Sequence, residues 1–338
     1  MKSAVRAVPR VLFALLPLVF AAALAASASA QEPDSSNAPR YFGGHQFIPS
    51  VLVPDPFIST TFMSTTGFGR ALNIKVPIEN LQGAQIAELS GDVGFMLLQF
   101  DYQYAFGRRW ALRVGASAGA RSGTSVPALL AEGASAIYGY ELGGSAMLVE
   151  RRNWLITATA DLRGNTLYGV APLDFARAVK QSVVNGDTVG AISGAEDVLL
   201  SSGDNLRVLG GLRGAYTPSA WIGFLGFAEA GSGNRFSDSG RTIGVANYGV
   251  ATSIDLRVLK GHVPFGLQGT YRDETLAERD NTTSTGGGAT TWGLGILYTG
   301  RRLFSIGLEN SWQQIQQPIN GKHFDAIETR ILMRYDFR

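Results

Sequence analysis

Nine arginines and seven carboxylates recur at alternate positions inside runs whose intervening positions are apolar. The arginines are Arg113, Arg121, Arg163, Arg207, Arg213, Arg257, Arg272, Arg330 and Arg334, and the acids are Asp101, Glu141, Asp161, Asp255, Glu309, Glu328 and Asp336. Small residues share their face, among them Gly115, Ser117, Gly139, Gly143, Gly211, Gly266, Gly293, Gly295 and Gly307. Such a face does electrostatic rather than covalent chemistry. Ladders of opposite charge around a narrow polar lumen set up a field that orients small polar or anionic solutes. The same ladders, with larger side chains, can instead cross-link one another and fill the lumen.

Covalent and metal chemistry find little support. The chain has no cysteine, which removes thiolate nucleophiles, disulfides and Cys-ligated metals. Three histidines are present: His45 before the first strand, His262 in a tight turn and His323 in the last long loop. A hydrolase needs a His beside a Ser nucleophile, and NGKHFDA around His323 supplies none. No three-ligand metal spacing is visible. TTGFGRA and STGGGATTWG are Gly-rich but lack the spacing and the strand-to-helix context of a phosphate loop, so turn freedom explains them. We expect no catalytic residue, no metal and no cofactor. A hydrolase remains the remote alternative.

The charged face requires elements of period two, and the chain supplies them. In WALRVGASAGAR, Trp110, Leu112, Val114, Ala116, Ala118 and Ala120 oppose Arg113, Ser117 and Arg121; in WLITATADLR, Trp154, Ile156, Ala158, Ala160 and Leu162 oppose Thr157, Thr159, Asp161 and Arg163. Eleven such runs fall at 94–106, 110–122, 136–149, 154–163, 205–216, 220–230, 243–258, 263–273, 289–299, 303–313 and 326–337. ISTTFMSTTGFG supplies a twelfth, with Pro77 interrupting its continuation. WIGFLGFAEAG fits poorly, because Phe224 and Phe227 have opposite parity, and a bulge or displaced boundary is expected there. The runs last about 10–12 residues, longer than the ~5–6 usual in soluble sheets and close to the ~9–11 that a tilted strand needs to cross a bilayer. Tight connections (AFGRRWAL, VERRNWLI, YTPSAWIG, VLKGHVPFG, YTGRRLFS) alternate with long ones, the asymmetry of outer-membrane barrels. Phe106, Trp110, Trp154, Trp221, Phe265, Tyr298, Phe304 and Tyr335 gather beside the tight turns, where rings suit a girdle at the headgroup level. A soluble sandwich also has one apolar face, turned inward, and remains the alternative.

Two segments lie outside this pattern. Residues 1–30 carry Lys2, Arg6 and Arg10, an apolar run and Ala28-Ser29-Ala30, the pattern of a secretory signal peptide. Cleavage there removes three of 29 basic and none of 27 acidic residues, leaving a balance that gives no reason to expect a nucleic-acid partner. Residues 31–56 read as a periplasmic tail or as a plug inserted through a barrel over 57–338. The long insertion over about 164–204 contains PLDFARAVKQSVVNG, where Phe175, Val179 and Val183 share a helical stripe. GAEDVLLSS is a possible second short helix. Phe175, Arg177, Val179 and Lys180 are therefore candidates for a constriction loop, or for a surface cap.

The last run, AIETRILMRYDFR, has Ile327, Ile331, Met333, Tyr335 and Phe337 on one face and Glu328, Arg330, Arg334 and Asp336 on the other. It resembles the closing strand of Gram-negative outer-membrane β-barrels, although Arg338 makes the terminal aromatic penultimate. The resemblance implies an all-β, single-domain, transmembrane, antiparallel up-and-down barrel of about twelve strands. A short helical insertion in one long loop completes the expected plan. The resemblance also implies contact with outer-membrane lipid and with the barrel assembly machinery through this strand. The expected function is porin-like passive passage of small polar solutes. A non-conducting structural or partner-binding barrel is the alternative.

Overall fold

The computed structural model describes residues 40–79, 85–125, 133–170, 200–235, 238–258, 263–278, 287–301, 303–316 and 323–337. A small hairpin comes first, β1 (Tyr41–Phe42) against β2 (His45–Gln46). Its turn is Gly43-Gly44, with φ of +56° and +87°. Positive φ at both central residues is the mirror-image turn that matches strand twist and favours glycine.

Alternating runs make ribbons with one oily and one wet side. In lipid such a ribbon survives only if both backbone edges are hydrogen-bonded. Twelve strands meet that demand by closing on themselves: β3 (Thr61–Glu79), β4 (Gln85–Phe106), β5 (Trp110–Gly123), β6 (Ala134–Glu150), β7 (Trp154–Val170), β8 (Leu200–Ser219), β9 (Ile222–Arg235), β10 (Asp238–Asp255), β11 (Phe265–Glu278), β12 (Gly287–Tyr298), β13 (Phe304–Gln316) and β14 (His323–Asp336). Each pairs antiparallel with its sequence neighbours, and β14 returns to β3, Ile331 opposite Thr66 and Tyr335 opposite Phe62. A ring closed in this way, by hydrogen bonds between every pair of neighbouring strands, is expected to resist SDS at room temperature and to change mobility on boiling. Identical migration before and after boiling would contradict it.

The outer wall is apolar. Leu294 is 73 % exposed, Val250 57 % and Tyr140 55 %, which water would not tolerate as a continuous surface. The turn-side girdle is present, with Trp154 stacked on Tyr216 at 4.3 Å and Tyr335 against Phe337 at 5.0 Å. A second aromatic band, at the other end of the belt, runs through Tyr271, Trp292 and Trp312. Among the described strand residues, outward charges appear towards the long-loop end, as in the Arg70–Asp92 pair at 2.6 Å. The shortest barrel strand has 12 residues. At ~3.3 Å per residue and ~40° tilt it rises about 30 Å, enough for an apolar band ~25 Å tall. This is an outer-membrane-type barrel, not a sandwich.

Several expectations need correction. The strands run further on the long-loop side, because each added pair of residues gains ladder hydrogen bonds. β7 continues to Val170 and β8 starts at Leu200, so both ends of the expected helical insertion are strand, including part of GAEDVLLSS. The rest of that insertion, with Phe175, Arg177, Val179 and Lys180, lies outside the described residues. Among the described residues the one helical piece is a 3-10 turn, Leu256–Val258. It ends the run expected over 243–258 at Asp255. Pro77 does not stop β3; among the described residues β14 pairs with β3 only as far as Leu72, short of Pro77, and a missing N–H is tolerated at such an edge. β9 keeps register with β10 from Ile222 to Asn234, so no bulge separates Phe224 from Phe227. The two rings point to opposite sides because the lumen holds something apolar at Phe227.

Candidate functional site

That material is the chain's own start. From Arg40 the chain enters the ring at the tight-turn end, rises inside it to Leu52 and Val53, and crosses back to begin β3. Phe47, Leu52, Val53 and Phe57 pack with the inward Leu155, Ala215, Leu225, Phe227 and Ala251 into one buried cluster. Arg40, 2 % exposed, donates to Asp336 at 2.9 Å, to Ser305 at 3.0 Å and to the Phe47 carbonyl at 3.0 Å. Burial holds its guanidinium below the ordinary arginine value, with Asp336 pulling the other way. Asp55 accepts from Arg334, which also donates to Asp336 at 3.1 Å. The Val51 N–H donates to Glu309, Thr157 to the Pro56 carbonyl, and Gln103 to the carbonyls of Phe57 and Ser59.

The wall is notched to receive this plug. A Cβ on Gly223 would stand 2.5 Å from a Phe47 ring carbon and 2.6 Å from His45 Cδ2. A Cβ on Gly266 would stand 2.8 Å from Ile48 Cγ1, and one on Gly293 2.8 Å from Leu52 Cδ1. Real Cβ atoms do not approach that closely, so a side chain at these inward positions would force its neighbours, the plug's side chains among them, to shift.

Deeper in, the arginines and carboxylates join across strands. Arg113 on β5 donates to Glu141 on β6 at 2.8 Å and to Asp161 on β7 at 2.6 Å. Arg163 reaches Glu141 at 3.2 Å, Asp161 at 3.2 Å and Glu229 on β9 at 2.6 Å. Arg213 lies 3.4 Å from Asp161. The chain of contacts continues from Glu229 through Asn247 to Arg272 and Glu274, and Glu274 accepts from Arg207. On the opposite wall Arg330 holds Glu328 in two contacts. A polar cavity of about 390 Å³ lies among these groups, with Ser50, Leu52 and Asp55 of the plug against it and Asp101, Arg163 and Arg330 in its wall. Two larger hollows, of about 890 and 690 Å³, open beside Met96 and Tyr168 and beside Trp292 and Leu294. Both lie on the outer apolar wall, and their lining offers little polar chemistry.

The inward residues named from sequence separate into three groups. Arg113, Glu141, Asp161, Arg163, Arg207, Arg213 and Arg272 form the connected network. Arg330, Glu328, Glu309, Arg334 and Asp336 face the plug or the wall beside it. Arg257 is not in a strand; from the 3-10 turn it clasps Asp255 at 2.7 Å and the Thr299 carbonyl at 2.8 Å. Arg121 is exposed near the other end and donates to Ser135. Asp101 accepts from Gln99. His323 is an exposed first residue of β14, and His262 lies outside the described residues. Sequence reasoning missed Arg40, Asp55, Glu229, Asn247 and Glu274. The ambiguous parity around Phe227 hid Glu229, and the YFGGHQF hairpin turn was the unread signal for the plug. No group of metal-ligating side chains occurs among the described residues.

No family model and no curated protein matches the chain. Similar solved structures include the toluene transporter TbuX of Ralstonia pickettii (10 % identity, 84 % of this chain and 92 % of that chain, TM-score 0.40). The KdgM porin in complex with disordered oligogalacturonate is another (11 %, 81 % and 99 %, TM-score 0.37). A third is the translocator domain of autotransporter NalP from Neisseria meningitidis (11 %, 82 % and 88 %, TM-score 0.46). The class assignment rests instead on the closed ring, its apolar exterior and its charged interior.

Proposed function

We propose that the barrel passes small polar solutes through the outer membrane, and that residues 40–60 are the gate in its lumen. The observation that carries this reading is the juxtaposition of a charged cavity with a plug seated in wall notches and held by reversible contacts. A ring of fixed, mutually bonded charges presents polar groups to a solute without reorganising, which suits passage better than tight retention. The plug closes the path as it stands, so the full-length protein in a planar bilayer is expected to be mostly silent. A variant lacking residues 40–57 should conduct steadily and still shift mobility on boiling. Silence of both, with folded protein, sinks the passage reading.

The second reading is a non-conducting barrel whose role is structural or partner-binding. It is favoured by the apolar cluster under the plug: truncating a buried aromatic such as Phe47 costs about 3–5 kcal/mol, so the plug is no loose tether. A hydrolase fares less well. His45 and Ser253 lie 3.1 Å apart, but both have 0 % exposure and the second ring nitrogen meets the Ala220 carbonyl rather than a carboxylate. The first and last barrel strands meet through β14 and β3, and recognition of β14 by the assembly machinery belongs to the same proposal.

A further inference from the structure

His45 sits in β2 with both ring nitrogens engaged: Nδ1 is 3.1 Å from the Ala220 carbonyl and Nε2 is 3.1 Å from Ser253 Oγ. Ser253 Oγ also accepts the Ile48 N–H at 3.0 Å. One arrangement of protons satisfies every group. The Ile48 N–H donates to Ser253, the Ser253 hydroxyl donates to Nε2, and Nδ1–H donates to Ala220. That arrangement is the neutral ring. A proton on Nε2 meets the serine proton head on; the hydroxyl must turn away and lose its partner, and a cation is left buried.

Among the described residues the surroundings supply no spare counter-charge. From β9 the neighbour is Gly223, and from the plug it is the edge of the Phe47 ring, centroids 4.7 Å apart. Asp255 on β10 is the acid on the adjoining element, and Arg257 of the following turn already holds it at 2.7 and 3.0 Å. Arg40 and Asp336, at the other end of the hairpin, are paired to each other.

We propose that protonation of His45 undocks residues 40–60, so that the barrel is opened by acid. The inference rests on the reading of this segment as the gate. Burial, the first cause, holds the ring below its ordinary value of 6.5, against the weaker pull of the Ala220 carbonyl and Asp255. The sign follows from the direction. The docked plug prefers the neutral ring, so its stabilisation is complete above the unperturbed value and is lost as pH falls below it. If the docked ring stays neutral, the undocked-to-docked ratio rises about 30-fold between about pH 7.5 and pH 5, taking ~6.5 for the free ring.

The chain has no cysteine, so one introduced thiol reports plug position without background. In Val53→Cys protein, labelling by a water-soluble thiol reagent should be blocked at about pH 7.5 and should rise towards 30-fold at about pH 5. Rates are taken relative to the same protein unfolded at each pH. That window stays above the ordinary carboxylate range, and comparison with His45→Gln separates the imidazole from the carboxylates that hold the plug, such as Glu309. Adding His45→Gln should remove the pH step. A step that persists in His45→Gln, or labelling that ignores pH in the parent, overturns the proposal. Should His45→Gln undock the plug at every pH, the NMR titration of His45 in a His262→Gln/His323→Gln background decides. A docked ring titrating at its ordinary value overturns the idea, and one titrating well below supports it. Acid-induced labelling without current would sink passage and keep this gate; current from the deletion variant without acid-induced labelling would do the reverse.

Discussion

Gly266→Leu is expected to expel the plug and leave the barrel standing. Gly266 is an inward position on β11 where even a Cβ would crowd Ile48, which has no exposed surface. A full isobutyl group cannot share that space, and something must move. β11 is hydrogen-bonded along both edges, to β10 and to β12, so displacing the wall breaks two ladders. Among the described residues the plug joins the wall covalently at β3, and most of its other holds are side-chain contacts. Overpacking costs about 1–3 kcal/mol even where the surroundings relax, and here the relaxation available is undocking. The expected results are bilayer conductance near that of the 40–57 deletion, loss of thiol protection at Val53→Cys, and unchanged mobility shift on boiling. Gly269→Leu is the control: one strand, the opposite face, and no heavy atom within 4 Å of its Cβ. It should change nothing. If Gly266→Leu stays silent and protected, the notch is incidental and the plug is not seated as described.

The same residues show what the sequence could disclose. Alternation in WALRVGASAGAR or AIETRILMRYDFR specifies a strand, its lipid face and its lumen face locally, since a one-residue slip would turn every side chain over. The closed ring then follows from the bilayer's demand that no edge be left open. Strand ends were less legible, because above the apolar belt nothing forces the outer face to be oily. Beyond Gly164 the outward residues of β7 include Thr166, bonded to Asp204, and the alternation fades while the ladder continues. The plug was least legible. Its grip is made of contacts with sequence separations above 200, such as His45 with Ser253 and Arg40 with Asp336. No local pattern announces which wall glycine faces Ile48 or Leu52. Phe227 carried a usable hint: an aromatic of the wrong parity in a barrel strand means an apolar object in the lumen. Alternation nominates inward charges, although Glu229 and Glu274 escaped it and Arg257 falls in a turn, and their bonding order depends on strand stagger, which spacing along one strand does not give.

Arg163 is the group on which that bonding order turns. It touches Glu141, Asp161 and Glu229, three carboxylates from three strands, while Arg113 and Arg213 reach only part of the set. Arg163→Gln leaves Glu229 with Asn247 as its remaining partner and leaves Glu141 to Arg113. Removing one member of a buried ionic cluster costs about 3–5 kcal/mol, because the abandoned charge keeps its desolvation penalty. The temperature at which the SDS-resistant form disappears should therefore fall clearly. Neutralising the abandoned acid as well, in Arg163→Gln/Glu229→Gln, should recover much of the loss. A double-mutant cycle measures that coupling directly. The same substitution acts on permeation with a definite sign. In the barrel lacking residues 40–57, removing one positive charge beside the cavity makes its wall more acidic, so the reversal potential in a salt gradient should move towards cation preference. The double variant should move it back. A stability loss without any shift in reversal potential would mean that the network is a wall brace set away from the solute path. Passage would then have to follow the Arg330 side of the cavity.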